Sequence, residues 1–142
     1  MPEDFQIPTK AKVYLNKPYV QLYWDGKSSV MTNRWVGFCT FEEILAVGKR
    51  ITDAVIFEKA EKILYDAHGI EVLDEDSQKY ISGAFTREMI SAGIKYAATV
   101  FPKDVFAKFC VDDIQKKLEK SQGASINYFD SLSKANLWLI SK

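Results

Sequence analysis

Beyond residue 40 the chain switches again and again between two hydrophobic spacings, and this alternation is what most narrows the folds open to it. Phe41, Ile44, Leu45, Gly48, Ile51 and Val55 recur three and four residues apart, which gives a helix one apolar stripe. Lys62–Ile63–Leu64–Tyr65–Asp66 is a compact apolar run ending in a carboxylate, and reads as a strand followed by a loop over 67–73. Helical spacing returns in Tyr80, Ile81, Ala84, Phe85, Met89 and Ile90, within a helix expected from about Asp74 to Ala92. Ile94–Phe101 is nearly continuous in apolar residues, as in a strand covered on both faces. Val105, Phe106, Phe109, Cys110, Ile114 and Leu118 make a third stripe, opened by Asp104. Ser125–Phe129 is a last strand, and Leu132, Ala135, Trp138 and Leu139 share a face of a terminal helix capped by Asp130. Strands that alternate with helices in this way call for a largely parallel sheet with helices packed on it.

The N-terminal part obeys a different rule. Tyr19–Trp24 is aromatic and β-branched, Asp25–Gly26–Lys27–Ser28 is turn chemistry, and Ser29–Phe38 is a second long strand. The two should form an antiparallel hairpin with a loop of about four residues, with Val13–Leu15 as an edge strand. Residues 1–10 carry two prolines and read as a loose arm before a single domain at 11–142. The expected fold is therefore α/β: a mixed central sheet of five to six strands with four helices, hairpin first. Local signals agree. Thr40–Phe41–Glu42–Glu43 is a capping box, Gly48 on its stripe allows a close neighbour, Asp74, Glu75 and Asp76 complement a helix dipole, and Gly93 suits a left-handed helix end.

Composition excludes more than it names. A chain of 142 residues with 19 basic and 19 acidic side chains has no net charge, so nothing broad draws it to nucleic acid or an anionic membrane. The apolar runs fall far short of the ~20 residues that span a bilayer. The acidic start Met1–Pro2–Glu3–Asp4 is no secretory signal, and a cytoplasmic location is the default expectation. Cys39 and Cys110 are too few and too far apart for a disulfide framework or a zinc site, and read as buried thiols. Isolated glycines form no phosphate-cradling loop, and a lone histidine, His68, removes any His-pair metal site, so no cofactor or metal is expected.

Candidate chemistry is sparse. Asp66 and His68 could form an acid–base pair beyond the end of a sheet strand, where α/β proteins bind ligands, or His68 could simply be a solvated turn residue. Asp66, Glu71, Asp74 and Asp76 could gather a hard cation, but their spacing fits no EF-hand. Lys103, Lys108, Lys116, Lys117 and Lys120 are interleaved with acids, as on a solvated helix face. The hairpin aromatics Tyr19, Tyr23, Trp24 and Trp35 suit a core. Tyr23, Trp24 and Trp35 could also line a ligand cavity or an interaction face.

The element order resembles that of the STAS domains, the fold of the sporulation anti-sigma-factor antagonists, over roughly residues 12–142. The segment Asp66–Ala67–His68–Gly69–Ile70–Glu71–Val72–Leu73–Asp74–Glu75–Asp76–Ser77 is similar to the family's D-L-S-G-V-x-F-x-D-S-S-G loop, coinciding at Asp66, Gly69 and Asp74. Tyr96–Phe109 and Tyr128–Ala135 resemble the strand before x-P-x-V-x-x-x-F and the F-x-S-x-x-x-A terminal helix. Trp35–Val36–Gly37–Phe38 and Pro102–Lys108 look closest to uncharacterised STAS-like proteins of Bacteroidetes-type bacteria. Glu75 and Asp76 stand where the antagonists carry their phosphorylatable serines, and Ser77 stands at the family's glycine. The resemblance thus implies a regulatory module without the serine phosphoswitch. Glu75 and Asp76 either mimic a phosphorylated loop or merely complement the helix dipole.

Two functions follow as expectations. The first is a non-catalytic interaction module that binds a partner protein through Asp66, His68, Gly69, Asp74, Glu75, Asp76 and Ser77 and the helix after them. The alternative is a small-molecule carrier, for a lipid or a nucleotide, whose aromatic-lined cavity includes Tyr23, Trp24 and Trp35. Catalysis would rest on Asp66 and His68 alone.

Overall fold

The computed structural model describes residues 7–71, 73–100 and 124–142. Six strands, β1 (Lys12–Lys17), β2 (Val20–Asp25), β3 (Val30–Gly37), β4 (Lys62–Ile70), β5 (Tyr96–Val100) and β6 (Ser125–Phe129), form one sheet in sequence order. β1, β2 and β3 are antiparallel, and β3 to β6 run parallel. The expected mixed α/β architecture is what the chain adopts. A four-residue turn at 26–29 joins β2 to β3, with Ser29 at a positive φ of 58°.

Helix α1 (Phe41–Glu58) begins at the capping box: the Glu43 amide donates to the Thr40 hydroxyl at 3.2 Å, and the Thr40 amide donates to the Glu43 carboxylate at 2.9 Å. Such a cap is worth about 1 kcal/mol. The buried stripe is Ile44, Val47, Gly48, Ile51, Ala54 and Val55, while Phe41 and Leu45 stay half-buried. The second helical rod is not one regular helix. It comprises α2 (Glu75–Tyr80), a π-helical segment at Ile81–Phe85 and α3 (Thr86–Ser91). Apolar spacing sees the rod but not the widened turn. The Thr86 hydroxyl stabilises that turn by donating to the Ile81 carbonyl at 2.6 Å. Past the rod, Gly93 has a φ of +109°, and the Ile94 amide reaches back to the Met89 carbonyl, closing the helix as expected. The last helix, α4 (Leu132–Ile140), is capped by Ser131, whose hydroxyl accepts from the Lys134 amide. Asp130, expected as the cap, pairs with the Lys134 ammonium at 3.0 Å instead. The helix expected from Asp104, with Cys110 and its lysines, lies outside the described residues, as do Phe101 and residues 1–6 of the arm.

Strand alternation divides the core. Leu22, Met31, Ile63 and Ala97 meet Val47, Ile51 and Val55 of α1 and Phe85 and Met89 of the second rod. On the opposite face Val30, Leu64, Ala98 and Val100 pack against Ala135 and Leu139 of α4. β5 is thus covered on both sides.

The expected loop at 67–73 is largely strand. β4 runs on to Ile70 because its pairing with β3 resumes after an irregularity: Arg34 pairs with Asp66, then Val36 with Gly69 and Gly37 with Ile70. One residue more on β4 than on β3 is a bulge. It lets Ala67 and Ile70, an odd step apart, bury on the same face beside Cys39, Ile44 and Leu73. Ending the strand at Asp66 would have left two apolar side chains without a wall. Among the described residues no helix is long and apolar enough to cross a membrane.

Candidate functional site

The residues singled out from Asp66 to Ser77 do not form one surface. Asp66 sits within β4, fully buried, and its Oδ2 meets the Arg34 Nε at 2.9 Å. Its Oδ1 contacts the His68 Nδ1, whose side chain is 15% exposed. His68 is therefore no solvated turn residue: it is a strand residue held by a buried carboxylate. Both oxygens of Asp66 are engaged, which makes it an anchor for Arg34 and His68. Gly69 is half-buried where β4 approaches β3, and an added Cβ would lie 3.3 Å from the Trp35 carbonyl oxygen. Asp74, Glu75 and Asp76 do share one exposed edge, and Asp74 caps α2 by accepting the Ser77 amide at 2.7 Å. Ser77 is fully buried, hydroxyl included. Among the described residues no group of three or more His, Cys, Asp and Glu side chains is placed to hold a metal.

The hairpin aromatics separate as well. Tyr23 lies on the α4 side of the sheet, near Thr32, Arg34 and Asp66. Trp24 packs against the main core on the other side. Of the three, only Trp35 lines the cavity between the sheet and the helices, because the two-residue alternation of β2 turns Tyr23 away and Trp24 sits too near the opposite end of the strands.

That cavity, of about 130 Å³, lies between the sheet and the layer made by α1 and the second rod. Ile44, Gly48 and Ile51 of α1 form one wall, and Ile81, Phe85 and Met89 another, with the π segment against the space. An aromatic chain leads to it: the Phe41 and Tyr80 rings meet edge to face at 6.3 Å, Tyr80 and Phe85 lie 5.7 Å apart, and Phe85 and Tyr65, which line the cavity, 6.2 Å apart. Gly48 is what admits Tyr80, since a Cβ there would overlap the phenol. No charged side chain lines the cavity among the described residues.

The sheet floor has two tones. Met31, Ile63, Ala97 and Ile126 stand in register across β3, β4, β5 and β6, an apolar row. Two residues on, Asn33, Tyr65, Thr99 and Tyr128 stand in register, and all four line the cavity. Asn33 is occupied: it donates to the Leu64 carbonyl at 3.3 Å and accepts from the Trp35 indole at 2.7 Å. Tyr65 and Thr99 are half-buried and face the same space. None of these four was a candidate from the sequence, although a signal exists. The triplets Met31–Thr32–Asn33, Ile63–Leu64–Tyr65, Ala97–Ala98–Thr99 and Ile126–Asn127–Tyr128 each place a hydrogen-bonding side chain two residues after an apolar one. Only the strand register aligns them.

The chain significantly matches no family model, no curated protein and no solved structure.

Burial sets the acid–base behaviour around the cavity. It pushes the Tyr65 phenol well above its ordinary range and, with Glu88 adding, the Tyr80 phenol up to about 12. It also pushes the nearby Cys39 thiol up to about 11, with Glu43 adding. An unfolded thiol ionises near 9.0 and an unfolded phenol near 10.0. Between those values and the folded ones the unfolded chain binds fewer protons, so stability falls as pH rises. The urea midpoint is expected to hold from about pH 7 to 9 and to drop steadily toward pH 11. A midpoint flat to pH 11 would show that these groups are open to water.

Proposed function

We propose that the chain is a non-catalytic binding protein that holds a small, predominantly apolar molecule between its sheet and its α1 layer. The cavity wall carries this reading: about 130 Å³ of space faced mostly by carbon and free of charge among the described residues. A dry apolar cavity of about 150 Å³ is enough to bind benzene, so the space suits a ring or a short branched chain. Of the two ligand classes weighed from the sequence, a lipid-like molecule fits such a wall. A nucleotide would press phosphate charge against carbon with no cation beside it. The π segment favours the same reading, because widened turns of this kind are frequent at functional sites.

The test fills the space. Ala97→Leu adds bulk to the apolar row of the floor. Toluene, as probe, is expected to raise the melting temperature of the native chain and to leave that of Ala97→Leu unmoved. Native mass spectrometry of the freshly purified protein is expected to show a small adduct that the variant lacks. Equal toluene shifts in the two proteins, or none in either, would remove the reading.

A second reading follows the STAS resemblance: a regulatory module in the cytoplasm that binds a partner through its acidic edge. The common exposure of Asp74, Glu75 and Asp76 supports it, and the buried Ser77 hydroxyl agrees with a module lacking a serine switch. Reversing charge in Glu75→Lys with Asp76→Lys should then release a partner that the native chain retains. An unchanged set of bound proteins argues for the other face.

A further inference from the structure

We infer that the cavity selects an uncharged molecule carrying one oxygen on an apolar body, such as a phenol, an alcohol or a ketone, and that the Tyr65 and Thr99 hydroxyls read that oxygen. The inference deepens the proposed function and rests on the cavity being a binding site.

The argument begins with the sheet register. Tyr65 and Thr99 are direct partners on neighbouring parallel strands, so their side chains stand side by side on the floor. A parallel sheet covered by helices normally places apolar side chains there. The row before this one obeys that rule, with Met31, Ile63, Ala97 and Ile126 in register. A hydroxyl set among such walls without a partner costs free energy comparable to a lost hydrogen bond. Asn33, at the end of the same row, meets that demand within the protein through Leu64 and Trp35. Tyr65 and Thr99 are half-buried and both line the cavity, where a ligand can supply that partner. A ligand oxygen placed above them would accept from one hydroxyl, and a ligand hydroxyl could donate to the other.

The same walls set the charge of the ligand. With no cation lining the cavity among the described residues, a carboxylate or phosphate entering it would lose its water without gaining a counter-charge. A neutral oxygen loses far less and recovers it in one hydrogen bond. The site therefore discriminates between a neutral oxygen and an anion on the same carbon body. Ala97 and Ile126 of the apolar row, with Ile51 and Met89 from the helices, hold the body, and the hydroxyl row fixes its orientation.

Toluene, phenol and benzoate test this with the full chain, because they share a ring and differ in one substituent. Affinities are read by calorimetry or by thermal shift over a concentration series. Tyr65→Phe is expected to weaken phenol roughly tenfold, about what one hydrogen bond is worth, while toluene binds as before or slightly better. Thr99→Val, which keeps the side-chain volume, should weaken phenol in the same direction. Benzoate should bind at least tenfold more weakly than phenol. An unchanged phenol-to-toluene ratio in both variants overturns the inference while leaving the cavity a binding site, and so does benzoate binding as tightly as phenol. If none of the three binds the native chain, the proposed function itself falls, and this inference with it. Melting curves of the two variants near that of the native protein show that lost binding is not lost folding.

Discussion

Asp66→Ala should destabilise the fold by about 3–5 kcal/mol, enough to leave a domain of this size marginal. Asp66 is wholly buried, and Arg34 beside it is 2% exposed. Removing the carboxylate leaves a guanidinium that water cannot reach and deprives His68 of the oxygen that holds its ring. The cost is that of a buried cation that has lost its carboxylate, and it exceeds the net worth of the pair. The double variant Arg34→Met with Asp66→Leu should therefore recover most of the loss, because two apolar side chains of similar volume leave no charge behind. His68→Ala should cost much less, since its ring is partly in solvent. Chemical denaturation of the four proteins checks the order. A loss below about 1 kcal/mol in Asp66→Ala would mean that Arg34 reaches water and that the pair is not sealed.

The ion pair also shows where spacing stops informing. Asp66 closes an apolar run, and a carboxylate after such a run is usually the start of a loop. Nothing local says that the strand continues through a bulge, because the reason lies elsewhere in the chain: Val36 and Gly37 on β3 offer pairing sites, and Cys39, Ile44 and Leu73 offer a wall for Ala67 and Ile70. The fold itself was more legible. The capping box, the hairpin turn, the left-handed Gly93 and the alternation of periods are signals carried within a few residues, and the mixed six-stranded sheet follows from them.

The candidate site was hardly legible at all. Single-strand patterns mark which residues share a face, but not which residues of four different strands stand at one level. Asn33, Tyr65, Thr99 and Tyr128 become a row only when the register of three parallel pairings is known. The aromatics that drew notice did so through their local density. Tyr23 and Trp24 are consecutive and must point to opposite faces, so they could not both have lined one cavity. Aromatic density in the hairpin goes with burial, whereas the hydroxyls in otherwise apolar parallel strands are what the proposed site is built on.

One sequence-level expectation, the close approach at Gly48, leads to the second large effect. Gly48→Ala should destabilise the protein by about 1–2 kcal/mol. Better helix propensity contributes up to ~1 kcal/mol in its favour, and overpacking against Tyr80 costs about 1–3 kcal/mol. Overpacking wins because Phe41 and Phe85 flank the Tyr80 ring and hinder its retreat, and the new Cβ would overlap the phenol oxygen while lying 3.0 Å from two ring carbons. Tyr80→Phe removes only the oxygen, which is buried with no hydrogen-bond partner among the described residues, so this variant should be as stable as the native chain or slightly more so. In the Tyr80→Phe background Gly48→Ala then faces ring carbons alone and should cost less than about 0.5 kcal/mol, giving a coupling near 1 kcal/mol between the two positions. Equal costs in both backgrounds would show that the phenol oxygen is not what Gly48 accommodates. Because Tyr80 leans on Phe85 and Phe85 lines the cavity, a ring displaced by Gly48→Ala should also weaken toluene binding, and Tyr80→Phe should restore it.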